Sequence, residues 1–220
     1  PENKKALTDI LTYHVLPGEF PASQVLSMNG SQTVGGRWVQ FSRSGDGVMV
    51  DDATVVIADI PCENGTIHVI DTVITPADES IVATAKDAGS FQTLLAAAKA
   101  AGLAETLDTK GPFTVFAPTD DAFNALGSDT IASLLKPENR EQLAMILKHH
   151  VVAGRVYSPT ALKAGSAKTL AGTTLPFSVK SKGAMVSNAQ IIATDIDTSN
   201  GVIHVIDRVM MPPMKSARSQ

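Results

Sequence analysis

Asn64-Gly-Thr-Ile-His-Val-Ile-Asp-Thr-Val-Ile-Thr-Pro76 returns near the end of the chain as Asn200-Gly-Val-Ile-His-Val-Ile-Asp-Arg-Val-Met-Met-Pro212. The offset is 136 positions and runs back without a gap to the first residue. Pro1-Glu-Asn3 meets Pro137-Glu-Asn139, Leu7 meets Leu143, and Ile10-Leu11 meets Ile146-Leu147. His14-Val15 meets His150-Val151, and Phe41-Ser42 meets Phe177-Ser178. Of the 76 aligned positions, 29 are identical. A solenoid repeats every ~20–50 residues, so this period marks a duplicated domain. The second copy has residues 77–136 in front of it, whereas the first begins in its middle. The expected organisation is the C-terminal half of one domain at 1–76, a complete domain at 77–213, and a polar tail at 214–220. An upstream segment or a second chain is expected to complete residues 1–76, whose sheet otherwise has an open edge.

Composition narrows the function. Hydrophobic residues make up 44% and charged residues 18%, the balance of a folded globular chain. The net charge of −4, the lack of a Lys/Arg-rich segment and the single Trp argue against nucleic acid as a partner. One cysteine, Cys62, rules out an intrachain disulfide. No apolar run approaches the ~18 residues of a membrane span. Pro1-Glu-Asn-Lys-Lys5 does not read as a gene start, so a signal peptide is expected upstream.

Periodicity places the elements. Apolar residues at helical spacing over 2–15 predict a helix with Asn3 as its cap, and 139–150 repeats the pattern from Asn139. Short helices are expected at 23–27 and 159–163. The period then falls to two, predicting strands over 33–42, 47–50, 54–58 and 67–73. In the unrepeated stretch, Ser80 and Ser90 are expected to cap two Ala-rich helices, the second ending at Gly102. Gly111–Pro118 reads as a buried strand, Thr119 as a helix cap, and 131–135 as a further turn. Helices followed by antiparallel strands make the class α+β.

Several strings invite a chemical reading. Asp120 and Asp121 could form a carboxylate pair, but behind Thr119 they suit the first turn of a helix. His204-Val-Ile-Asp207 and His68-Val-Ile-Asp71 look like acid–base pairs. Residues three apart on a strand face opposite ways, so instead of a proton relay one of each pair is expected to be buried and bonded to backbone and the other exposed at the strand end. His149 and His150 project about 100° apart at a helix end, unlike the i, i+4 pair that binds zinc. No phosphate loop, nucleophile elbow or metal spacing is present, so no catalytic residue, metal or cofactor is expected. Asn29-Gly-Ser31 and Asn64-Gly-Thr66 match the N-glycosylation triplet, which matters only in a secreting eukaryote.

Phe113-Thr-Val-Phe-Ala-Pro-Thr-Asp-Asp-Ala-Phe123 resembles the first signature of fasciclin-type (FAS1) domains, and Asn200–Pro212 is similar to the second. His149-His150-Val151-Val152 corresponds to the family's Tyr-His motif, with His149 in the Tyr position. The first copy carries the pair intact as Tyr13-His14. The resemblance implies an α+β fold, a wedge-shaped β-sandwich with flanking helices. It also implies a secreted, periplasmic or cell-surface location, and adhesion or ligand binding rather than catalysis. The partner implied is a protein or glycan of the cell surface or extracellular matrix. The partner-binding residues it implies are Tyr13, His14, Asp59, Ile60, His150, Asp195 and Ile196. Two alternatives are a small-molecule or metal-dependent pocket near His150 or His204 and a purely architectural surface spacer.

Overall fold

Leu7, Ile10 and Leu11 lie on one face of α1 (Glu2–Tyr13), within which Asn3 sits as a helical residue rather than as its cap. A single turn follows, α2 (Ala22–Val25), then β1 (Gly30–Gln32), β2 (Trp38–Ser44), β3 (Gly47–Val50), β4 (Ala53–Cys62) and β5 (Gly65–Ile70). These five strands form one antiparallel sheet in sequence order. The strand expected over 33–42 is broken. Gly36 adopts a φ of 76°, its N–H donates to Thr33 O, and the chain doubles back as the β1–β2 hairpin. The computed structural model describes residues 2–45, 47–181 and 183–213, so the tail expected at 214–220 lies outside the described residues.

The chain divides into two compact units, Pro1–Ala77 and Asp78–Gln220. The second opens with α3 (Ile81–Asp87), α4 (Gln92–Ala101), α5 (Ala104–Thr109), β6 (Phe113–Pro118), α6 (Asp120–Asn124) and α7 (Ser128–Leu134). A 3-10 turn at Pro137–Asn139 leads into α8 (Arg140–His149), β7 (Val151–Ala153) and α9 (Ser158–Ala164). Then come β8 (Ser166–Lys168), β9 (Thr174–Lys180), β10 (Gly183–Val186), β11 (Ala189–Thr198) and β12 (Gly201–Ile206).

The seven strands run in the order β7-β6-β12-β11-β10-β9-β8, with β6 parallel to β12. A bridge between Val152 and Thr169 joins the two ends, so the sheet curls until its margins meet. The second unit thus combines a curled sheet with helices packed against it, the mixed α+β arrangement expected. Apart from Thr114 and His204, β6 and β12 are apolar because both faces are covered. Val115, Ala117, Ile203 and Val205 pack with Leu94, Ala98, Phe123, Leu143 and Leu147. Phe116 and Ile206 join Leu175, Phe177, Val186 and Met210 inside the curl.

Ser80 and Thr119 cap as expected, accepting from Ala83 N at 3.1 Å and Ala122 N at 3.2 Å. Ser90 does not cap α4. The carboxylate of Asp120 does so from across the unit, accepting from Thr93 N at 2.8 Å and Gln92 N at 3.2 Å. Asn139 stands at the start of α8, but its side-chain amide donates to Ser133 O at 2.7 Å.

Candidate interaction site

The β4–β5 and β11–β12 hairpins carry the repeated motif and are built alike. In each, the register shifts ahead of the turn, where Asp59 and Asp195 take φ values of 60° and 62°. These kinks aim both carboxylates at the start of a helix. Asp195 accepts from Ser158 N at 2.7 Å and from the Ser158 hydroxyl, and Asp59 accepts from Ala22 N at 2.9 Å.

The motif histidines then lock the same kinks. His204 Nδ1 accepts from Asp195 N at 3.3 Å, and its Nε2–H donates to Val156 O at 2.8 Å. His68 repeats this with Asp59 N at 3.4 Å and Phe20 O at 2.8 Å. These partners fix the tautomer. Burial lowers the pKa of His204. Asp207 accepts from Gln190 N at 2.7 Å and Asp71 from Thr54 N at 2.8 Å. The Thr54 hydrogen bond holds the Asp71 carboxyl below its ordinary range. His and Asp of each motif do not meet, as their spacing predicts, but both hold backbone where one of each pair was expected to stand exposed.

The Tyr-His segment is also tied inward. His150 is 2% exposed, donates from Nδ1 to Ile146 O at 2.8 Å, and accepts at Nε2 from Met210 N at 2.9 Å. Burial pushes its pKa down to about 4. In the first unit, the Tyr13 hydroxyl lies 2.9 Å from Trp38 O and 2.8 Å from Asp51 Oδ2. His149 takes the Tyr13 position in the second unit and hydrogen-bonds Thr173 Oγ1.

One network escaped the sequence reading. Arg155 Nη1 lies 2.7 Å from Asp197 Oδ1 and 2.6 Å from Gly201 O, and Nη2 donates to Thr198 O and Ser199 O at 2.9 Å each. The Tyr157 hydroxyl donates to Asp197 Oδ1 at 2.7 Å, and burial raises its pKa. The first copy has Glu19, Pro21 and Pro61 at these three positions. A cation and an anion entering one copy together was the available signal.

The first unit also holds an open cleft of ≈ 460 Å³, lined by Tyr13, His14, Val25, Phe41, Ile67 and His68 among others. Among the described residues, no group of three or more His, Cys, Asp and Glu is placed to hold a metal ion.

The family model of the fasciclin domain matches residues 1–76 and 89–212. The chain belongs to the fasciclin family. It is 48% identical over 146 residues to protein sll1483 of Synechocystis sp., covering 66% of this chain and 81% of that protein. It is 30% identical over 210 residues to transforming growth factor-beta-induced protein ig-h3 of Sus scrofa. That match covers 93% of this chain but only 30% of ig-h3. Among solved structures, a FAS1 domain pair from the insect cell adhesion molecule fasciclin I aligns with a TM-score of 0.57 at 18% identity. The alignment covers 96% of this chain and 81% of that one and shows a shared fold.

The fasciclin motif residues differ in reach. His14, Asp59 and Ile60 are exposed, Asp195 and Ile196 are half-buried, and Tyr13 and His150 are buried. Asp59 and Ile60 adjoin in sequence, but Asp59 is also held by Ala22 N. No helix among the described residues of this fasciclin chain is long and apolar enough to cross a membrane.

Proposed function

We propose that this fasciclin chain is a non-enzymatic module of the cell surface or extracellular space that binds a protein or glycan partner. The observation that carries the reading is how both copies use their repeated polar groups. His68, His204, Asp71 and Asp207 are bonded to backbone, and so are Asp59 and Asp195. An acid–base catalyst needs its groups free to meet a substrate proton. These groups instead shape a surface, and function on such a scaffold belongs to what the surface presents. A secreted, periplasmic or cell-surface location accords with the adhesion molecule whose fold it shares.

The exposed motif residues His14 and Ile60 are the first to test. Binding of the intact protein to glycan and matrix-protein panels is expected to be saturable. His14→Ala with Ile60→Ser is expected to weaken it by roughly tenfold, about 1.4 kcal/mol, with an unchanged circular dichroism spectrum. Unchanged affinity would remove these residues from the site. No saturable partner on any panel would overturn the module reading.

A further inference from the structure

After β12 the chain runs on as a strap, residues 208–213, that is neither helix nor strand. Its two buried side chains part company. Val209 joins the cluster between the sheet and its helices, and Met210 joins the cluster inside the curl. Asp207 anchors the root of the strap, donating its N–H to Gln190 O at 3.1 Å and accepting from Gln190 N at 2.7 Å. Beyond that root, among the described residues, the strap has one hydrogen bond. Met210 N donates to His150 Nε2 at 2.9 Å.

His150 can hold the strap only as a neutral ring. Its Nδ1–H donates to Ile146 O at 2.8 Å, which leaves Nε2 as the acceptor. With a proton on each nitrogen, Nε2–H would meet Met210 N–H head on. The surroundings offer such a charge no relief. The ring borders a void of ≈ 40 Å³ whose other walls are apolar, Ile81, Leu94, Ala98, Leu107, Val151 and Ile203 among them. A void of that kind stays dry. The titratable group that faces the ring is His149, which meets it edge-on at 6.2 Å and opposes a further charge. On the strap side, Arg208 is turned to solvent beside Asp207. No carboxylate among the described residues acts on the ring.

The first copy keeps the buried residue without the bond. Ile74 holds the Met210 position and is buried. His14, in the His150 position, is exposed and bonds Ile10 O at 2.8 Å, and among the described residues no bond joins it to Ile74.

We propose that His150 is an acid-operated latch on the strap of the second unit. At neutral pH the ring holds Met210 N and the strap is shut. When the ring takes a second proton, residues 208–213 swing away from their root at Asp207 and draw Met210 out of the curl. Phe116, Leu175, Phe177 and Ile206 lose their cover, so the unit presents in acid an apolar surface that it hides at neutral pH. The inference concerns the closure of one unit and does not rest on the partner-binding reading.

Amide exchange on the chain tests it. A ring freed to water titrates near 6.5 and the latched ring at about 4, so opening gains as pH falls between them. The protection of the Met210 amide, corrected for intrinsic exchange, is expected to fall roughly 50-fold from about pH 7 to about pH 4.5. In low urea its exchange is expected not to respond to urea, the mark of a local opening, whereas Val115 and Ile203 should exchange through an opening that urea promotes. His150→Gln keeps an acceptor within reach of Met210 N and does not titrate, so Met210 should be equally protected at both pH values. An acid response that survives in His150→Gln would overturn the proposal. The ring nitrogen resonances of His150 in the unaltered chain give a reading that needs no variant, and their titration should share one midpoint with the exposure of Met210. A ring that titrates while Met210 stays protected would overturn the proposal. So would a Met210 amide that follows urea as Val115 does, since strap and sheet would then open together.

Discussion

His150 uses both ring nitrogens in its neutral form, one donating to Ile146 O and one accepting from Met210 N. A second proton would set two donors against each other where no water reaches. Burial accordingly pushes its pKa from 6.5 to about 4, and burial lowers that of His204 as well. The unfolded chain takes up these protons near pH 6.5, so between there and about pH 4 it binds more protons than the folded state. Stability is therefore full above about pH 6.5 and falls as pH drops towards 4. His150 alone contributes roughly 3 kcal/mol to that loss. Urea unfolding at about pH 7 and about pH 4.5, followed by amide exchange in β12, would measure it. Trp38 lies in the first unit, so its fluorescence would not report the change. A flat profile would mean the ring is not held neutral. At this scale the sequence was half legible. Period two along the strand showed that His204 and Asp207 face apart. It could not show that His204 meets Asp195 N, because the register shift in β11 that brings them together rests on a positive φ at Asp195, not on polar and apolar alternation.

Whole elements were read best where apolar residues recur at helical spacing. α1 and α8 follow from their apolar stripes, whereas the capping of α4 did not follow from Ser90. Asp120 was expected to serve its own helix. Its carboxylate holds the first N–H groups of α4 instead, while its own N–H donates to Ser90 O at 2.9 Å. Burial raises the Asp120 pKa, but hydrogen bonds from Thr93 and Gln92 outweigh it and hold the carboxyl below its usual range. Such a partnership between two helix starts depends on tertiary approach and has no local signature. The same dependence makes α1 and α8 respond differently to one substitution. Leu147→Ala removes a side chain from the core cluster and is expected to destabilise the second unit by about 2–5 kcal/mol. Leu11→Ala trims an exposed side chain and is expected to change residues 1–220 by less than about 0.5 kcal/mol. Denaturant unfolding of the two variants checks the pair. A comparable loss at both positions would show that Leu11 is covered in solution.

Across the molecule, the duplication was legible because pairs such as Leu7 and Leu143 keep their identity whether or not they are buried. Their burial was not legible from the aligned segments, since the residues that cover Leu143 lie outside them. This inequality sets the order of unfolding. The buried core of the first unit is one cluster between Tyr13 and Ile74, while the second unit has two clusters between Ile81 and Met210. A smaller unit also buries a smaller fraction of its unfolded surface, about 60% at 60 residues against nearly 70% at 150. With ten large apolar side chains exposed among its described residues, the first unit gains less from each residue it orders while losing the same conformational entropy. Heating residues 1–220 is therefore expected to give two calorimetric transitions instead of one. Trp38 is 8% exposed in β2 of the first unit, so its fluorescence change should coincide with the lower transition. The upper transition should carry the larger enthalpy, which scales with the number of residues ordered. A single transition shared by fluorescence, circular dichroism and heat would contradict this, because it would require the two units to melt as one cooperative body.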